Sequence, residues 1–173
     1  PESSAHAALN DPVDRSLRGE SEGAAGMLAP RWGAVAFRAL LFRVGGQRFA
    51  MPLIALHSVA LFEQQATVLP GQPQWQIGIV HYRDQCLRIA DTASLLGLSD
   101  SGRSTPRYLL VLGEGQWALA CDRIDDAIEV SGDAVRWRQA EGPVQWLVGI
   151  LVDSLAAVLD PWIIEQELGM DHA

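Results

Sequence analysis

Lysine is absent from this chain: all 13 of its basic residues are arginine. Without it there is no Walker lysine on a phosphate, no Schiff base and no kinase β3 lysine. Basic charge is in deficit too. The net charge is −8, whereas nucleic-acid backbones are held by clusters of Lys and Arg, so no nucleic-acid partner is expected. Long apolar runs are also missing. None approaches the ~20 residues of a membrane span, and direct membrane insertion is not expected. The N-terminus has no basic stretch leading into an apolar one, so no signal peptide is read there. The chain opens on Pro1 rather than Met, and the expectation is a processed or recombinant piece with something upstream of it. Cysteine is scarce. Cys86 and Cys121 lie far apart within strand-like apolar runs, and buried reduced thiols are expected, with one disulfide as the alternative.

What is present is an ordinary globular composition, 49% hydrophobic and 20% charged over 173 residues, enough for one sizeable core. Residues 1–35 are rich in Ala, Ser, Gly and Glu without sustained periodicity and read as a flexible linker or tail. From there to about residue 170 the pattern is one of short strands. In "VAFRALLFRVGGQRFAM" an alternating run meets Gly45-Gly46 as a turn and then returns. Pro52 leads one helical turn. "SVALFEQ", "WQIGIVHYR", "QCLRIAD", "RYLLVLG", "QWALACDRI", "DDAIEV", "QWLVGILV" and "SLAAVLD" read as further strands. "DTASLLGL" reads as a short helix with Asp91 or Thr92 as N-cap and Gly97 near its end, and "PWIIEQEL" as a closing helix with Pro161 in its first position. About ten short strands with turns every 8–12 residues indicate an all-β sandwich or barrel.

The two halves repeat. "GGQRFAM" matches "GEGQWALA", and "IGIVHYRDQCLRIAD" matches "VGILVDSLAAVLD" in the same order, at an offset of roughly seventy residues. Two similar β subdomains within one domain follow.

The stretch His81-Tyr82-Arg83-Asp84-Gln85 interrupts two apolar runs with five hydrogen-bonding side chains. Three readings stand open on these residues alone: a catalytic or small-ligand site using His81, Arg83 and Asp91, a hairpin tip that docks a partner, or a solvated turn. No G-x-S-x-G elbow or other nucleophile motif accompanies His57 or His81. His57 reads as a partly buried, hydrogen-bonded residue. Asp122, Asp125, Asp126 and Glu129 lack the alternation and mid-loop glycine of a calcium loop and read as an acidic strand edge. No zinc pattern occurs, and no metal or other cofactor is expected. Large aromatics usually fill small cores, so about four of the six Trp are expected inside, any exposed one serving as an interface anchor.

"FRALLFRVGGQRFAMPLIALHSVALFEQ", "VLPGQPQWQIGIVHYRDQCLRIADTASLLGL", "WALACDRIDDAIEV" and "LVGILVDSLAAVLD" resemble, in order, the successive blocks of CheW-like domains over about residues 36–168. The resemblance implies two intertwined five-stranded SH3-like β-barrels with short helices. It also implies a non-enzymatic adaptor of bacterial chemosensory arrays, cytoplasmic and at polar arrays. Its implied partners are the chemoreceptor cytoplasmic tip and the regulatory domain of the chemotaxis histidine kinase. Arg83 matches the arginine of the family's Asn-Leu-Arg-Gly hairpin. Leu53, Leu56 and Val59 match the segment that turns apolar residues towards the receptor tip. Tyr82 stands for the motif's Leu, His81 for its Asn and Asp84 for its Gly. The Asp84 carboxylate beside Arg83 is expected to compete for the guanidinium. Some similar proteins, of the ParP type, carry the domain behind a variable linker, which here would join a polar localisation ATPase through the upstream region.

Overall fold

The computed structural model describes residues 29–98, 105–138 and 144–171. Alternating apolar residues build β1 (Phe37–Val44). Gly45 and Gly46, at φ of 59° and 84°, then turn the chain tightly into β2 (Gln47–Pro52), a conformation that residues with a Cβ rarely adopt. Pro52 removes a ladder donor and ends the strand, and Leu53–Ala55 form one 3-10 turn. The strands that follow are β3 (Leu56–Leu61), β4 (Gln76–Tyr82), β5 (Gln85–Asp91), β6 (Tyr108–Leu112), β7 (Trp117–Cys121), β8 (Arg123–Val130), β9 (Val135–Trp137), β10 (Leu147–Leu151) and β11 (Ala156–Leu159). Helix α1 (Thr92–Leu96) ends on Gly97 at a φ of 70°, the left-handed C-terminal signal. Helix α2 (Pro161–Asp171) begins on Pro161. The strand break near the acidic run differs slightly from expectation. β7 ends at Cys121 and Arg123 already belongs to β8, because Asp122 bends away and accepts the Gly45 N–H at 2.7 Å.

The strands form a six-stranded sheet, β8-β1-β2-β11-β10-β9, and a five-stranded sheet, β3-β6-β7-β5-β4. The orders superpose when β1, β2 and β8 are set on β6, β7 and β3, and β10 and β11 on β4 and β5. Each sheet therefore takes a hairpin from both halves of the chain. The seams are the parallel pairs β2·β11 (Phe49↔Ala157) and β5·β7 (Ile89↔Ala118). This is the intertwined all-β architecture expected, with β9 as an additional strand in one sheet. In the other, Ser58 Oγ of β3 and Tyr82 Oη of β4 lie 2.7 Å apart, which joins the two ends of the strand order, and Thr67, beyond the end of β3, bridges Ile79 of β4.

The repeat extends to its irregularities. Gly78 in β4 and Gly149 in β10 both sit at register shifts. A Cβ at Gly78 would lie 2.6 Å from the Thr67 carbonyl oxygen, and one at Gly149 would lie 2.9 Å from that of Arg136. Both glycines admit a neighbouring backbone that any side chain would push out.

Phe42 and Phe49 face each other across β1·β2 with ring centroids 5.9 Å apart, at the centre of the largest buried cluster with Met51, Leu110, Leu112, Leu119 and Leu159. Of the six tryptophans, Trp117 and Trp146 are buried and Trp162 is exposed. Most of the 1–35 stretch read as linker lies outside the described residues. Its described end is packed: Arg31–Gly33 form a 3-10 turn, and Trp32 sits edge-on to Phe37 and Trp137.

Candidate functional site

The hairpin closes on the pair Tyr82↔Gln85, leaving Arg83 and Asp84 as a two-residue turn. Their φ values are 51° and 67°, as a turn with both central residues left-handed requires. Asn-Gly suits that geometry; Arg-Asp occupies it against a cost of about 1 kcal/mol or more per residue. β7 meets β5 only from Arg88↔Trp117 onward, so the hairpin from His81 to Cys86 overhangs its neighbour strand. That overhang corrects the expectation for Cys86, which is an exposed free thiol. Cys121 is buried and also free, and burial, helped by the nearby Asp122 charge, pushes its thiol pKa up to about 12.

His81, Arg83 and Asp84 are exposed, while Tyr82 is half-buried. The Tyr82 ring packs against the cluster of Val80, Leu87 and Ile89, and its hydroxyl bonds Ser58 of β3. Gln64 Nε2 donates to the His81 carbonyl at 3.1 Å. The Arg83 guanidinium lies over the Tyr82 ring at 5.1 Å. Among the described residues no carboxylate pairs with it, so Asp84 does not hold it back. The base of the hairpin is tied to its surroundings by these two hydrogen bonds, and its cation is presented to solvent.

β3 is a sheet edge with alternating burial, and its outward residues are His57, Val59 and Leu61. His57 is thus exposed rather than partly buried. Val59 is 43% exposed and Leu61 58%. Leu53 and Leu56 are half-buried against the main core. Sequence reasoning missed Ile54, which is 82% exposed. A single 3-10 turn after Pro52 buries Ala55 and swings its neighbour outward, and an unbroken Leu-Ile-Ala-Leu run carries no signal of which residue that is. Beside it, Trp32, Val35, Ala36, Phe37 and Arg38 on one side and Pro52, Leu53 and Ile54 on the other line an open, mainly apolar groove of about 600 Å³.

The three residues of the catalytic alternative do not converge. Asp91 ends β5, six residues beyond Gln85 and so about 20 Å along the strand from the turn, where it accepts from Ser94 Oγ. Asp125 pairs with Arg43 at 2.9 Å and Arg123 at 3.5 Å on the edge strand β8, the ordinary acidic edge expected. No group of metal-ligating side chains occurs among the described residues, and no helix there is long and apolar enough to cross a membrane. One acid is displaced from its usual range. Glu165 of α2 lies against the Gly113 backbone, and burial, then the Glu114 charge, raises its pKa.

A family model described as CheW-like domain matches residues 38–167. The chain is 23% identical over 100 residues to a probable chemotaxis protein CheW of Rhizobium etli, covering 56% of this chain and 63% of that protein. It is 26% identical over 95 residues to a chemotaxis protein CheW of Rhizobium meliloti, covering 53% and 60%. The chain thus spans less than two thirds of the length of these relatives. Among solved structures it resembles the scaffolding protein TtCheW from Thermoanaerobacter tengcongensis, with a TM-score of 0.62 at 16% identity, covering 72% of this chain and 87% of the other. At that identity the likeness speaks for the fold.

Proposed function

The chain belongs to the CheW-like domain family, and on that premise we propose that it is a non-enzymatic adaptor of chemosensory arrays, working in the cytoplasm. The partners proposed are a chemoreceptor cytoplasmic tip and the regulatory domain of the chemotaxis histidine kinase. One observation carries the reading: the overhanging hairpin presents Arg83 with no carboxylate partner among the described residues, on a base pinned by the Tyr82–Ser58 bond. A guanidinium without a carboxylate partner, on an exposed tip that extends past its neighbour strand, suits bidentate capture of a partner's carboxylate. The solvent-facing Val59 and Leu61 on the adjoining strand edge supply apolar contact area. Within this site Arg83 is the anchor, His81 and Asp84 flank it, and Tyr82 positions it. Leu53, Leu56 and Val59 form the apolar part. The polar localisation ATPase was expected to bind through the upstream region, most of which lies outside the described residues.

The test is calorimetric titration of the 173-residue chain with a chemoreceptor tip fragment and, separately, with the kinase regulatory domain. Binding to either, weakened at least tenfold by Arg83→Glu with the thermal transition retained, supports the adaptor reading. Absence of binding to both overturns it.

A further inference from the structure

The β10–β11 hairpin is the counterpart of the Arg83 hairpin in the other half of the chain, and its chemistry is reversed. Counting on from Gly78 and Gly149, Val152 stands where His81 does. Counting back from Asp91 and Asp160, Leu155 stands where Cys86 does. Both hairpins overhang: β2 meets β11 only at Ala157 and Val158, so residues 152–156 extend past that pairing. Where the first tip is polar, the second is apolar. Ile150, Val152 and Leu155 are all exposed, Leu155 at 78%. Leu155 also has a φ of 52°, in the left-handed region that favours glycine. A strained backbone that displays a large apolar side chain to solvent points to a use for that side chain.

The molecule carries a surface that complements this tip. The groove between Trp32 and Val35 on one side and Pro52, Leu53 and Ile54 on the other is open, mainly apolar and about 600 Å³, the size of a ligand cleft. The strands beside it, β1 and β2, are interior to their sheet, so an occupant gains no ladder bonds there and has to satisfy its own backbone. The hairpin does so. β10 and β11 pair with each other, and the Leu155 N–H donates to the Val152 carbonyl across the turn at 3.3 Å. The charges match as well. Arg38 lines the groove, Asp153 lies in the middle of the tip, both are exposed, and neither makes an ion pair among the described residues. β11 runs parallel to β2, so the tip lies beyond the Gln47 end of β2 and the groove at its Pro52 end, about 17 Å away along the strand. The hairpin cannot reach the groove of its own chain.

We propose that the β10–β11 tip docks into the apolar groove of a second copy of this chain, with Val152 and Leu155 against Trp32 and Ile54 and with Asp153 meeting Arg38. The contact is heterologous: each copy gives its tip to one neighbour and its groove to another. It does not depend on the adaptor reading.

Sedimentation velocity of the full chain over micromolar to millimolar concentrations tests this, at about 0.15 M salt to screen the net charge of −8. Species larger than a monomer are expected to grow with concentration, and Leu155→Gly and Ile54→Asp should each weaken the association at least tenfold. Leu155→Gly removes the side chain while relieving the left-handed backbone, so its thermal transition should be held or raised, which separates docking from folding. Mixed in equal amounts, the two variants should form dimers and nothing larger, because each keeps the surface the other lacks. Arg38→Glu and Asp153→Arg should each weaken association and restore it when combined in one chain. A monomer throughout the range overturns the inference. So does association that survives either Leu155→Gly or Ile54→Asp within twofold, or a mixture of the two variants that stays monomeric.

Discussion

The indole of Trp32 and the carboxylate of Asp160, separated by 128 residues in sequence, are joined by a hydrogen bond of 3.2 Å. Asp160 is 5% exposed, and its other oxygen accepts the N–H groups of Trp162 and Ile163 at 3.0 and 3.2 Å. One carboxylate thereby caps α2 and ties down the stretch ahead of β1. Asp160→Ala removes the cap and leaves the indole donor without its acceptor. A loss of about 2 kcal/mol is expected from the two effects together. Urea denaturation measures it, and a loss below about 0.5 kcal/mol would mean the cap does not matter.

Asp84 occupies a left-handed position at a φ of 67°. Glycine has no Cβ to strain there. Asp84→Gly should raise the unfolding free energy by about 1 kcal/mol, and Asp84→Val should lower it. A shift of the urea midpoint in the opposite order would contradict the turn geometry.

Arg83 is presented without an ion-pair partner among the described residues. As an interface anchor it should carry about 2 kcal/mol of partner binding, lost in Arg83→Ala. A change under about 0.5 kcal/mol would reduce it to a solvated turn residue.

The two thiols should differ sharply in reactivity. Cys86 lies on the exposed overhang, whereas Cys121 is buried with its pKa pushed up to about 12. The thiolate is the reactive species. A chromogenic thiol reagent at pH 8 should titrate one thiol in the native chain and both after denaturation. Two rapid thiols in the native chain would show that the β7 core opens readily.

Glu165 has its carboxyl pKa raised by burial, then by the Glu114 charge. For an acid raised on folding, the associated stability is fully present below the unfolded value, 4.5, and is lost as pH rises through the folded one. Ionised Glu165 thus opposes folding at neutral pH. Glu165→Gln should raise the melting temperature at pH 7, with the gain shrinking towards pH 4. An equal gain at both pH values would assign the effect to something other than ionisation.

How much of this was legible follows from the range of each interaction. Gly45-Gly46, Gly97 and Pro161 announce their turn, cap and helix start in the sequence because a backbone preference belongs to a residue and its immediate neighbours. Alternation marked the strands for the same reason, and the roughly seventy-residue repeat exposed the doubled architecture. The Arg83 hairpin was readable as a hairpin, and through the resemblance as a docking tip. The parallel seams β2·β11 and β5·β7 have no local signature. They join segments far apart in the chain, and only their closure decides which residues overhang and which are covered. That closure places Cys86 in solvent and Cys121 in the core, though both lie in similar apolar runs. It also brings Trp32, from a stretch that reads as linker, onto Asp160 and the wall of the groove. Local chemistry determined the strands, turns and caps of this protein. Long-range packing decided its surface, because exposure depends on what lies on the other side of a side chain, and here that neighbour comes from the other half of the chain.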